Sequence, residues 1–170
     1  EAIRQGLSSF ELGRHRIEVV AERDGITWID DSKATNPHAA SASIMSALSV
    51  IWIAGGLAKG ATMGELVQRI KARVRVAILI GEDRELIATA LSEQAPHIEI
   101  IRVDTPAQYT KGGENNALME DVIRRAQERA QSGDTVLLAP ACASMDQFLS
   151  YGDRGDRFTA AVEKVVRDGK

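Results

Sequence analysis

The chain has 170 residues, 44% of them apolar and 26% charged, with a formal net charge of −3. That length suits one domain with a sizeable core, and the mildly acidic balance argues against a nucleic-acid or anionic-membrane surface. A single cysteine, Cys142, excludes a disulfide framework and fits a reducing cytoplasm, and no apolar run approaches the roughly 20 residues of a membrane span.

The opening stretch "EAIRQGLSSFELGRHRIEVV" has no signal-peptide layout and no initiating methionine, so the chain is expected to be a domain of something longer. "RIEVVAERDGITWIDD" predicts two strands around Asp24-Gly25, a strong hairpin signal. Pro37 stands at a first helical position with Asn36 as its N-cap, opening the small-residue helix "HAASASIMSAL". "SVIWIAGG" is a short apolar strand ending in glycines. "GELVQRIKARV" is amphipathic, and Thr62 with Glu65 forms a capping-box pattern before it. "RVAILIGED" predicts a buried strand, "RELIATALSEQA" a helix, "HIEIIRV" a strand, and "NNALMEDVIRRAQERAQSG" a helix closed by Gly133. "DTVLLAPACAS" is the last strand and "DRGDRFTAAVEKVVRDG" the last helix. The polar loop "TPAQYTKGGENN" reads as the most mobile segment.

Apolar strands alternating with helices imply βαβ units and a mostly parallel sheet covered on both faces, with the hairpin as an antiparallel addition. Ligands of such sheets bind beyond the carboxyl ends of the strands. Here those ends carry "DDSKATN", "AGGLAKGAT" and "APACASMDQ", all rich in binding groups.

"GGLAKGAT" is not a phosphate loop, because Lys59 precedes Gly60 and Ala61 follows it. A tight turn and an anion site at Lys59 remain open. In "DDSKATN", capping explains Asn36, and Asp30 or Asp31 fits a solvated strand end. Lys33 and Thr35 are left over, a cation and a hydroxyl beside a helix start. Ser144 followed by Gln147 fits a capping box, which the residues alone favour, although the hydroxyl could equally meet a ligand. Cys142 reads as a small buried residue with no basic partner evident, and His15 as a surface residue between Arg14 and Arg16. His38 and His97 lack metal-ligand spacing, so no protein-bound metal is expected.

Taken together, "L-x-x-F" at Leu7 to Phe10, "HRIEVV", "DSKATN", "GGLAKGA" and "LLAPACASMDQFLSYGDRGDRF" resemble the carboxyl-terminal domain of the Mur ligases. "ACASMDQF" is similar to the acceptor pocket of the member that adds D-glutamate. The usual proline before the His-Arg pair is Arg14 here. The resemblance implies a three-layer Rossmann-like α/β domain spanning residues 16–170, with residues 1–15 as the end of a central ATPase domain and its linker. It implies an enzyme in which ATP phosphorylates the carboxylate of UDP-N-acetylmuramoyl-L-alanine and D-glutamate displaces the phosphate. By that resemblance Arg16 and Asp31 contact ATP, Asp31 at the ribose, and Lys33 sits near the phosphates. Thr35, Lys59, Ser144, Met145 and the Tyr151 backbone hold D-glutamate, with Lys33 and Lys59 as catalytic cations. Magnesium falls mainly to the central domain. A folylpolyglutamate synthase-type ligase and a non-catalytic binding module are the competing readings.

Overall fold

The computed structural model describes residues 13–169. The Leu7–Phe10 motif and most of the expected linker lie outside them. Two strands, β1 (Glu18–Arg23) and β2 (Ile26–Asp30), form the antiparallel hairpin. Asp24 and Gly25 both have positive φ, 54° and 76°, as a two-residue type I′ turn requires.

Four further strands follow: β3 (Val50–Gly55), β4 (Val74–Ile80), β5 (Glu99–Arg102) and β6 (Thr135–Leu138). The sheet order is β1-β2-β6-β3-β4-β5, and every pairing except β1–β2 is parallel. The last strand therefore inserts between β2 and β3.

Helices α1 (Pro37–Met45), α2 (Gly64–Ile70) and α3 (Arg84–Gln94) cover one face. Their buried Ile44, Leu66, Val67, Ile87 and Leu91 pack with Trp52 and Leu79 of the sheet. Helices α4 (Ala117–Arg129) and α5 (Tyr151–Val162) cover the other face, where Val122, Ile123 and Phe158 meet Trp28, Ile53 and Ile78. The expected three-layer arrangement is present. A five-residue π-helical segment, Glu163–Arg167, continues α5. Among the described residues no helix is long and apolar enough to cross a membrane.

Several local expectations are corrected. Asn36 caps α1, its side chain accepting from the Ala39 N–H, but the Thr62–Glu65 pattern caps nothing. Helix α2 starts at Gly64 behind Met63 and has no side-chain cap. Helix α4 ends at Arg129, and Gly133 instead sits in the turn before β6, donating its N–H to the Gly25 carbonyl. Strand β6 stops at Leu138, leaving "APACAS" as a loop. Residues 103–116 are tethered rather than free. Tyr109 Oη donates to the Gln147 carbonyl (2.8 Å), and Arg157 donates to the carbonyls of Gly113 (2.6 Å) and Asn115 (3.1 Å).

Candidate functional site

Three loops meet beyond the carboxyl ends of β2, β6 and β3, beside the point where the chain changes direction across the sheet. The Asp31–Asn36 junction joins the loop after β6 through the Ala141 N–H, which donates to the Ala34 carbonyl (2.9 Å). That same loop pairs with the loop after β3. Leu57 and Ala143 exchange both backbone hydrogen bonds, each 2.9 Å. The segment carrying Lys59 is thus set beside the segment carrying Ser144. Gly56 permits this approach. Its φ is +134°, and a Cβ there would run into the Ala143 carbonyl.

The "AKGA" stretch is a tight turn in which the Ala61 N–H donates to the Ala58 carbonyl. Both central residues have positive φ, 50° at Lys59 and 82° at Gly60, a strained choice for a lysine. The turn leaves the Lys59 ammonium exposed. The Ala58 N–H donates to Asp83 Oδ2 (2.8 Å), which fixes the turn against the start of α3.

Ser144 is buried, and it caps no helix. Its carbonyl accepts from the Gln147 and Phe148 N–H groups, making one isolated turn of backbone. The true cap of α5 is Ser150, which accepts from the Asp153 N–H (3.0 Å), while the Asp153 carboxylate accepts from Leu149 N–H. Met145 is exposed, and its carbonyl accepts from Lys111 Nζ (2.8 Å).

Lys33 and Tyr151 border an open cavity of about 720 Å³ together with His15 and Ser150. The Lys33 ammonium lies 5.8 Å from the Tyr151 ring centroid, a cation–π distance. The Tyr151 carbonyl is already engaged, accepting from the Ser32 hydroxyl (2.7 Å). Thr35 is half-buried at the mouth of α1, and Arg16 is exposed. Asp31 is buried, with Oδ1 accepting from the Ile17 N–H (3.3 Å). Burial pushes its carboxyl above the usual range, against the pull of Ser43, Ile17 and Arg16. Asp30 and Asp31 are therefore not a solvated strand end.

His15 is also buried, contrary to the surface reading. Its Nδ1 lies 2.6 Å from Asp30 Oδ2, and its Nε2 is 3.5 Å from Asp156. Asp30 is raised mainly by desolvation, which the His15 and Ser32 hydrogen bonds oppose. His15, Glu18 and Asp30 are close enough to hold a metal ion. Each already takes part in a hydrogen bond, however: Glu18 accepts from the backbone N–H of His15, and Asp30 from the Ser32 N–H and the imidazole. Magnesium, which prefers an octahedron of oxygens and several waters, does not fit that set.

Arg154 joins the loops from beneath. It is fully buried in α5. Its Nε and Nη2 donate to the Ser32 hydroxyl (2.9 Å) and carbonyl (2.8 Å), and its Nη1 donates to the Cys142 carbonyl (3.1 Å). Desolvation lowers its pKa to about 10, so it remains protonated at neutral pH. Cys142 accordingly has a basic neighbour. Burial nonetheless dominates and pushes its thiol up to about 12, which makes it a poor nucleophile. Residue spacing held a clue to Arg154. Positions 154, 158, 161 and 162 share the buried stripe of α5, so helical periodicity aims this arginine inward.

Residues 15–142 match the family described as Mur ligase, glutamate ligase domain. The chain belongs to the Mur ligase family. This Mur ligase domain is 48% identical, over 97% of its length, to the UDP-N-acetylmuramoylalanine–D-glutamate ligase of Mycobacterium avium (strain 104). It is 47% identical over 98% of its length to that of Mycobacterium tuberculosis (strain ATCC 25618 / H37Rv). It spans 37% and 38% of those two relatives. Its fold is shared with the MurF ligase of Thermotoga maritima in complex with ADP, at a TM-score of 0.54 and 19% identity, covering 99% of this chain and 37% of that one. A pseudomurein peptide ligase type C from Methanothermus fervidus gives the same TM-score at 15% identity, covering 95% and 31%.

Proposed function

We propose that this Mur ligase domain supplies the acceptor amino-acid site, and one wall of the nucleotide site, of an ATP-dependent ligase joining D-glutamate to UDP-N-acetylmuramoyl-L-alanine. The observation that supports the reading is the meeting, at the carboxyl edge of one sheet, of the three strand-end loops that carry Thr35, Lys59 and Ser144. The names of the curated relatives support the choice of D-glutamate.

A dianionic amino acid needs a cation and oriented donors. The exposed Lys59 ammonium and the hydroxyls of Thr35 and Ser144 provide them for its two carboxylates. Met145, which is exposed, gives apolar surface to the substrate's methylenes, and the Tyr151 backbone helps to hold a carboxylate. Lys33 faces the open cavity, where it meets phosphate charge, and Arg16 and Asp31 contact the nucleotide. In the reaction the γ-phosphoryl group passes to the carboxylate of UDP-N-acetylmuramoyl-L-alanine, releasing ADP. The unprotonated D-glutamate amine then attacks the acyl carbon, the C–N bond forms, the C–O bond to phosphate breaks, and the amine's proton leaves with the released phosphate. Lys59 holds the substrate's carboxylate and Lys33 balances phosphate charge, which together keep the amine in line with the acyl carbon, where positioning contributes most. Closure against a central ATPase domain excludes water from the acyl-phosphate. ATP-bound magnesium belongs with that domain, and the enzyme works in the bacterial cytoplasm.

The test is phosphate release by the full-length protein with ATP and UDP-N-acetylmuramoyl-L-alanine. Release that depends on D-glutamate and not L-glutamate is expected. Preference for L-glutamate would favour a folylpolyglutamate-type acceptor site, and no release with either would leave a binding module.

A further inference from the structure

The turn at residues 144–148 has a weakness that follows from its backbone. Only the Gln147 and Phe148 N–H groups bond within it, both to the Ser144 carbonyl. No helix follows until Tyr151. The carbonyls of Met145 and Gln147 therefore have no repeating secondary structure to hold them. Both are taken by side chains from one loop, residues 103–116. Lys111 Nζ donates to Met145 and Tyr109 Oη to Gln147, each at 2.8 Å. Gln147 Nε2 meets Thr105 Oγ1 at 2.7 Å. The loop is itself pinned by Arg157, which donates to Gly113 and Asn115 and lies 5.9 Å from the Tyr109 ring centroid. The Tyr109 ring also packs edge-on against Phe148.

We propose that Tyr109 and Lys111 are positioning residues for acceptor specificity, holding the Ser144 turn in the register that aims its hydroxyl at the amino-acid carboxylate. The inference rests on the D-glutamate reading above. Neither side chain reaches the substrate. Each acts by fixing a carbonyl next to or near Ser144, so the effect falls on amino-acid binding and spares the nucleotide wall formed by Lys33 and Arg16. The Lys111 tie is solvent-exposed and the Tyr109 tie partly buried, so Tyr109 carries more of the effect.

The experiment compares the full-length ligase with Tyr109→Phe, Lys111→Met, the double variant, and Lys111→Arg, in the phosphate-release assay. Tyr109→Phe keeps the ring and removes one donor, so the D-glutamate KM should rise about 2- to 12-fold. The double variant should exceed it, and Lys111→Arg should restore the value of the unsubstituted enzyme. The KM for ATP and the kcat at saturating D-glutamate should stay unchanged. An unchanged D-glutamate KM in the double variant, or equal rises for D-glutamate and ATP, overturns the inference alone. Absence of D-glutamate turnover in the unsubstituted enzyme overturns the functional reading, and the inference with it.

Discussion

Arg154 holds Ser32 by both its hydroxyl and its carbonyl, 122 positions away in the chain. With its third bond to the Cys142 carbonyl, this one guanidinium fixes two of the three site loops relative to each other. A lysine cannot reproduce that planar fork. Arg154→Lys should cost about 2–4 kcal/mol of stability by leaving buried carbonyls unpaired, seen as a lower urea midpoint with an unchanged slope. A midpoint within error of the parent would mean that the loops hold themselves.

Gly155 sets two effects of opposite sign against each other. Alanine is the better helix former by about 1 kcal/mol. A Cβ at this position, however, would collide with the His15 ring and the Asp30 carboxylate. Both neighbours are buried and paired, so neither can yield freely. Gly155→Ala should be net destabilising by about 1–3 kcal/mol, and thermal unfolding reads the sign directly. A raised melting temperature would show that the His15–Asp30 pair yields.

The two serines of the last loop should separate. Ser150 caps α5, so Ser150→Ala should cost about 1 kcal/mol. Ser144 caps nothing. Ser144→Ala removes no helix cap, so it should cost less stability than Ser150→Ala, and it should raise the D-glutamate KM in the full-length enzyme. The reverse ranking in denaturation would restore Ser144 to a structural role.

Cys142 should be silent in the folded chain. With its thiol near 12, the thiolate at pH 8 is about one part in ten thousand. Alkylation by iodoacetamide should follow unfolding, proceeding in denaturant and stalling without it. Rapid labelling of the native chain would contradict the burial described.

Local chemistry made much of this fold readable. Asp24-Gly25 dictates its turn, Asn36-Pro37 opens α1 with a cap and a preset φ, and the alternation of apolar strands with helices gives the three layers. Strand order was not readable, because inserting β6 between β2 and β3 depends on contacts far apart in sequence. Both capping boxes, Thr62–Glu65 and Ser144–Gln147, matched in sequence and failed, since the backbone at those residues does not enter a helix where the pattern places it. His15 was misjudged for the opposite reason. Its neighbours Arg14 and Arg16 are exposed, yet a φ of 63° turns the imidazole inward onto Asp30. Asp30 itself shares the buried face of β2 with Trp28, which period-two alternation does indicate. The polarity of residues 105–116 suggests a mobile loop, and only the folded chain reveals that its donors have carbonyls waiting for them.

The proposed acceptor site at the strand-end loops is tested most directly at Lys59. Its φ of 50° suits glycine, so Lys59→Gly removes the ammonium while preserving the turn. The measurement is the D-glutamate KM of the full-length Lys59→Gly enzyme. Loss of a charge-assisted contact worth about 1.5–3 kcal/mol predicts a rise of about 10- to 150-fold, with the ATP KM unchanged and the melting temperature not lowered. A D-glutamate KM equal to that of the parent would contradict the assignment and leave Lys59 a surface lysine on a tight turn.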